Sequence, residues 1–70
     1  MNIQAILFDK NLWTAKNAYK WVKGHGYNPI KRVHITKNYY RYRITDPKTY
    51  RLMRIKNISD NGIKFIIGYH

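Results

Sequence analysis

The residues of this chain best suited to chemistry are cationic, and most fall in one stretch, KRVHITKNYYRYRIT at positions 31–45. Arg32, His34, Arg41 and Arg43 lie there with Tyr39 among them, and Arg54 and Lys56 follow in a later apolar run. Guanidinium groups bind phosphate oxygens through a bidentate fork, and a tyrosine ring stacks on a base or sugar. The set points to nucleic acid as partner. His34 beside Arg41 offers a second chemistry. Its imidazole would act as general base while arginines stabilise a phosphorane-like transition state, as in metal-free RNA cleavage.

Other chemistries lack their residues. Asp9 falls in a break before a helix, Asp46 precedes Pro47, and Asp60 sits in a turn. Each has a structural role, which leaves no carboxylate pair for acid–base or two-metal catalysis. His25, His34 and His70, without any cysteine, give no zinc spacing. His25 reads as a helix C-terminal residue favoured by the dipole. There is no Gly-rich phosphate loop, nucleophile elbow or Walker pattern. The expectation is a protein that is not an enzyme and uses neither cofactor nor metal.

Composition supports a polyanionic partner. Fourteen Lys and Arg stand against three Asp and no Glu, a formal charge of +11. An AT-rich coding sequence would enrich Lys together with Ile, Asn, Tyr and Phe. It would not remove Glu, nor supply arginine at 32, 41, 43, 51 and 54. Seventy residues make a single domain, 1–70. Such a domain buries only about 60% of its unfolded surface, and its net stability is ~4–10 kcal/mol. No disulfide can supplement that core, so a homodimer is expected about as readily as a monomer. The start, MNIQAILFDK, has no basic leader region and too short an apolar run to span a bilayer, so no membrane partner is expected.

The cations need elements to position them. With Lys37-Asn38 at a turn, the 31–45 stretch reads as a β-hairpin pairing Ile35 with Tyr40, His34 with Arg41, and Arg32 with Arg43. Alternation then puts Val33, Ile35, Tyr40, Tyr42 and Ile44 on a core face, and Arg32, His34, Tyr39, Arg41 and Arg43 on the other. A slip of one residue would set arginines among the apolar side chains. Lys-Asn suits a two-residue primed turn less well than Asn-Gly does.

Upstream, IQAILF at 3–8 reads as a strand with apolar residues on both faces. Thr14 is placed as N-cap of a helix from Ala15 to His25, with Trp13 as a hydrophobic staple and Gly26 as the left-handed residue beyond its end. Ala18, Trp21, Val22 and His25 recur on one side of it. Downstream, Asp46-Pro47-Lys48-Thr49 is a turn. Strands at 51–57 and 63–69 flank a Ser59-Asp60-Asn61-Gly62 turn, with Gly62 left-handed in a bulge. That register pairs Ile55 with Ile67 and Met53 with Tyr69. Met53, Ile55, Phe65 and Ile67 would share one face, and Arg54, Lys56, Ile58 and Ile66 the other.

The predicted fold is therefore α+β, one helix packed on a small antiparallel sheet in the order β-α-β-β-β-β. The sheet face away from the helix becomes a basic platform of Arg32, His34, Tyr39, Arg41 and Arg43, joined by Arg54 and Lys56. No element resembles a sequence-reading helix. Backbone binding with little base specificity is expected, with DNA favoured over RNA.

Two resemblances bear on function. The run W-T-x-x-x-A-x-x-W-V-K-x-H-G-Y from Trp13, followed by Y-x-R-Y-R-I-x-D-P from Tyr39 to Pro47, resembles a small basic domain found in proteins of large DNA viruses and tailed phages. Marseillevirus-type giant viruses carry short stand-alone versions of it. The likeness covers about residues 8–69 and implies a virion protein associated with the genome, in host cytoplasm or nucleus during infection. It implies no reaction. His-Gly-Tyr at 25–27 followed by His34 on a strand is also loosely similar to HicA-family RNA-cleaving toxins. Those enzymes carry the histidine after Gly-Ser, whereas Val33 precedes His34 here. A third reading is a structural capsid component whose basic face meets acidic protein surfaces.

Overall fold

The computed structural model describes residues 2–57 and 61–69. Its elements are β1 (Asn2–Asp9), α1 (Ala15–Gly24), β2 (His34–Ile35), β3 (Tyr39–Arg43), a 3-10 turn (Pro47–Thr49), β4 (Leu52–Asn57) and β5 (Ile63–Tyr69). The strands form one sheet in the order β2-β3-β1-β5-β4, every neighbouring pair antiparallel. One helix against an antiparallel sheet is the expected α+β class.

Strand β1 is central, and residues 4–8 are all buried. Beyond Gln4, its even side chains face the helix. Ile6 and Phe8 form a cluster with Ala18 and Val22 of α1, Tyr42 and Ile63, and Trp13, Trp21, Tyr40 and Phe65 pack around it. The Phe8 ring meets Trp13, Trp21 and Tyr42 edge-on at centroid distances of 5.1, 5.7 and 5.9 Å, the arrangement that aromatic quadrupoles favour. On the opposite face Ala5, Leu7 and Ile66 form a second, smaller cluster.

The helix follows its local signals. Thr14 accepts a hydrogen bond from the Asn17 N–H, satisfying one orphan donor of the first turn. His25 is the C-cap, its ring stacked on Trp21 at 3.8 Å and its Nδ1 2.8 Å from the Trp21 carbonyl. Gly26 follows at φ +83°, where a side chain would strain the backbone. Trp13 anchors the helix entry from both ends of its indole, since Nε1 also donates to the Asn61 carbonyl at 2.7 Å.

The first hairpin has the expected register, with His34 opposite Arg41 and Ile35 opposite Tyr40. No non-glycine residue has positive φ among the described residues, so Lys37-Asn38 do not make a primed turn. Thr36 supplies what the turn type lacks, because its Oγ1 accepts from the Tyr39 N–H at 3.0 Å. Ile35 is an exception on the core face, 59% exposed at the sheet edge.

The second hairpin is shifted by one residue from expectation. Ile55 pairs with Ile66 and Met53 with Gly68, which puts Arg54 opposite Ile67 and Lys56 opposite Phe65. Phe65 packs into the helix-side cluster and Ile66 into the outer one. β5 keeps its expected facing through its pairing with β1 (Phe8 to Ile63, Ile6 to Phe65), and it is β4 that slips by one residue against it, so Met53 and Ile55 turn outward and Arg54 and Lys56 to the helix side. Ile58, Ser59 and Asp60, on which part of the expected loop falls, lie outside the described residues; Gly62 is left-handed at φ +81°.

Gly68 is required for a different reason. A Cβ there would run into the ring of Tyr50, which lies over the strand and bonds Thr45 Oγ1 through its hydroxyl at 2.6 Å. Gly68→Ala is expected to lower stability by about 1–3 kcal/mol through overpacking. A urea midpoint equal to that of the parent chain would show that Tyr50 moves aside without cost.

Candidate nucleic-acid interface

The cross-strand register assembles the outer sheet face row by row. His34 of β2, Arg41 of β3, Leu7 of β1 and Lys64 of β5 form one row; Arg43, Ala5, Ile66 and Ile55 form the next. Tyr39 packs on the Ala5–Leu7–Ile66 cluster and accepts a hydrogen bond at its hydroxyl from Lys64 Nζ at 2.8 Å. Helix α1 lies on the other face, yet Ala5 is fully buried and Leu7 is 8% exposed. Their cross-strand neighbours Arg43 and Arg41 are themselves half-buried. Such long aliphatic stems can cover apolar surface on the face they share with Ala5 and Leu7.

Arg41 is held from below. Its Nη2 donates to Gln4 Oε1 at 3.0 Å, and Gln4 Nε2 donates to the Thr45 carbonyl at 2.9 Å. Gln4 is the extra residue where the β1–β5 pairing steps from Ile3–Ile67 to Ala5–Ile66. Its own carbonyl accepts from the N–H groups of Ile44 and Thr45. This fully buried amide therefore joins the central strand, the end of β3 and the guanidinium in one network.

The electrostatics of the pair are one-sided. The Nε atoms of Arg41 and Arg43 are both buried and without a hydrogen-bond partner. Burial, and then the neighbouring Arg43 charge, hold the Arg41 guanidinium below its ordinary pKa. No carboxylate offsets them among the described residues. The Asp9 carboxylate accepts from the Asn11 N–H and the Asp46 carboxylate from the Lys48 N–H, each in its own turn. Burial, with Tyr19 and Tyr40 beside it, raises the pKa of Tyr42, whose hydroxyl donates to the Ala15 carbonyl. That residue serves the helix–sheet contact and not the outer face.

Of the residues read from the sequence as binding nucleic acid, His34, Tyr39, Arg41 and Arg43 come together on this face. Three do not join them. Arg32 lies outside the ladder, because the Ile30 N–H takes the Arg43 carbonyl and the chain departs from strand geometry before Val33. It lines a groove beside Tyr19 and Lys23 of α1. Arg54 and Lys56 point to the helix side of β4, the consequence of the shifted register. Two participants were not singled out from the sequence. Lys64 enters through its pairing with Leu7, and Gln4 is the lone polar residue of the IQAILF run. The second carried a signal, since a buried amide inside an apolar strand needs partners.

Among the described residues no group of three or more His, Cys, Asp or Glu is arranged to hold a metal ion. No described helix is long and apolar enough to cross a membrane. No family model, curated protein or solved structure matches the chain.

Replacing Gln4 by Leu would strand the Thr45 carbonyl and one Arg41 donor in the interior. A loss of about 1–3 kcal/mol is expected from these unmet groups. Denaturant unfolding with an unchanged midpoint would show that the bulge closes without its amide.

Proposed function

We propose that this protein binds nucleic acid, DNA in preference to RNA, through the outer sheet face, by contacts to the sugar–phosphate backbone. The observation that carries the reading is the Arg41–Arg43 pair. Two like charges stand at alternate positions of one strand, half-buried, with their Nε atoms unpartnered and no carboxylate bonded to them among the described residues. Within the chain this arrangement is unfavourable, and an external polyanion relieves it. Lys64 adds a positive charge to one side of the row and His34 a polar ring to the other. Contacts of this kind position a protein on nucleic acid without reading sequence.

The setting we propose is the particle of a large DNA virus, where a chain of net charge +11 would accompany or compact the genome. What supports it is the likeness of the Trp13–Tyr27 and Tyr39–Pro47 motifs to virion-associated basic domains. One observation favours a second reading, RNA cleavage. His34 is exposed and stands directly opposite Arg41. A base beside a guanidinium is the minimum such chemistry needs.

Anisotropy titrations with labelled duplex DNA at rising salt test the main reading. Engagement of roughly six phosphates would make log K fall with log[salt] at a slope near −5. Arg41→Gln with Arg43→Gln should make that slope shallower by about two. Far-UV circular dichroism checks the fold, because the arginine stems also seal Ala5 and Leu7. Unchanged affinity in a folded double variant would remove the outer face as the binding surface. Absence of binding at physiological salt would leave acidic protein surfaces as the partner. RNA cleavage that is abolished in His34→Ala would establish the enzymatic reading instead.

A further inference from the structure

A second concave surface lies round the end of the sheet from the arginine pair. Tyr19 and Lys23 of α1 and Asn28, Ile30, Lys31 and Arg32 of the following connector line an open groove of about 580 Å³. That volume is within the usual range for small-ligand sites of about 300–1,000 Å³. Three of these six side chains are cationic and none is acidic. Tyr19 is 50% exposed, with its ring tilted against Tyr42 at a centroid distance of 6.3 Å. Lys23 Nζ donates to Asn28 Oδ1 at 2.7 Å, which ties the helix to the connector at the rim.

This groove communicates with the outer face. Ile30 and Lys31 also line a smaller hollow of about 190 Å³ with Arg43, Asp46, Pro47 and Lys48. Arg43 belongs both to that hollow and to the outer-face row, and Lys31 lines both hollows, so shared lining residues connect Arg41 and Arg43 through Lys48 and Lys31 to Arg32 and Lys23. Asp46 is the one acid on the route, and its carboxylate is turned to the Lys48 N–H.

We propose that this track carries single-stranded nucleic acid round the end of the sheet, with one unpaired base laid on Tyr19 and its flanking phosphates against Lys31, Arg32 and Lys23. The inference rests on the nucleic-acid reading above and narrows its ligand. The physical reason is access. Bases in a duplex have their faces stacked on one another, and only an unpaired base offers a π-face to an aromatic ring. A cationic track with an aromatic platform in a groove is the combination that single strands use.

Labelled oligothymidine of about eight nucleotides, the same backbone with abasic sites, and a short duplex are titrated against the full chain. Wild type should bind oligothymidine more tightly than either of the other two. Tyr19→Ala should weaken oligothymidine about 5- to 100-fold and leave duplex binding unchanged, whereas Tyr19→Phe should keep both. Lys31→Glu with Arg32→Glu should also weaken oligothymidine more than duplex. Tyr19 is a half-exposed helix residue, so circular dichroism is expected to show a folded variant. Equal affinity for abasic and base-bearing strands overturns the inference. So does an unchanged Tyr19→Ala while Arg41→Gln with Arg43→Gln weakens every ligand, and in that case the nucleic-acid reading stands. If wild type binds none of the three, the reading itself fails and the inference with it.

Discussion

Everything in this fold depends on covering β1 from both sides. Its residues 4–8 are buried, but among the described residues there is one α-helix to set against the sheet. The helix and its aromatic neighbours cover Ile6 and Phe8. On the other face Ala5 and Leu7 lie beneath the side chains of Arg43, Arg41, Ile66, Lys64 and Tyr39. A small domain cannot spare a second layer of secondary structure, so the methylene stems of long cationic residues take that place.

That solution couples stability to charge. The side chains that shield Ala5 and Leu7 also end in the guanidinium groups that repel one another. Shielding the core thus concentrates positive charge on a rigid surface, and Gln4 fixes where part of it stands. Salt or a polyanion acts on the same groups, and both weaken the repulsion by screening or pairing. A polyanion bound there would be linked to folding through Arg41 and Arg43 in a way that peripheral lysines would not produce.

The two concave surfaces near Lys31 give the molecule a second polarity. The sheet face is shallow and mixed, with basic residues near β3 and exposed Met53 and Ile55 on β4. The groove by Tyr19 is cationic with an aromatic floor. Arg43 joins them, which makes the end of β3 the point where the extended connector, the 46–48 turn and the platform meet.

Much was legible in the sequence because it rested on short-range physics. Thr14 and Gly26 delimit the helix through capping and left-handed backbone, and strict alternation sorted Tyr39, Arg41 and Arg43 from Tyr40 and Tyr42 across the hairpin. These signals act over a few residues and survive whatever surrounds them. What only the tertiary structure decided came from pairing between distant strands. Which face Arg54 and Lys56 occupy depended on the register β4 takes against β5, and alternation within β4 is the same in either register. Arg32 left the platform because the Ile30 N–H claims the Arg43 carbonyl, a contact across the sheet edge. Gln4 and Lys64 became members of the site by position in the ladder, and that order, β2-β3-β1-β5-β4, is set by the burial of β1 on both faces.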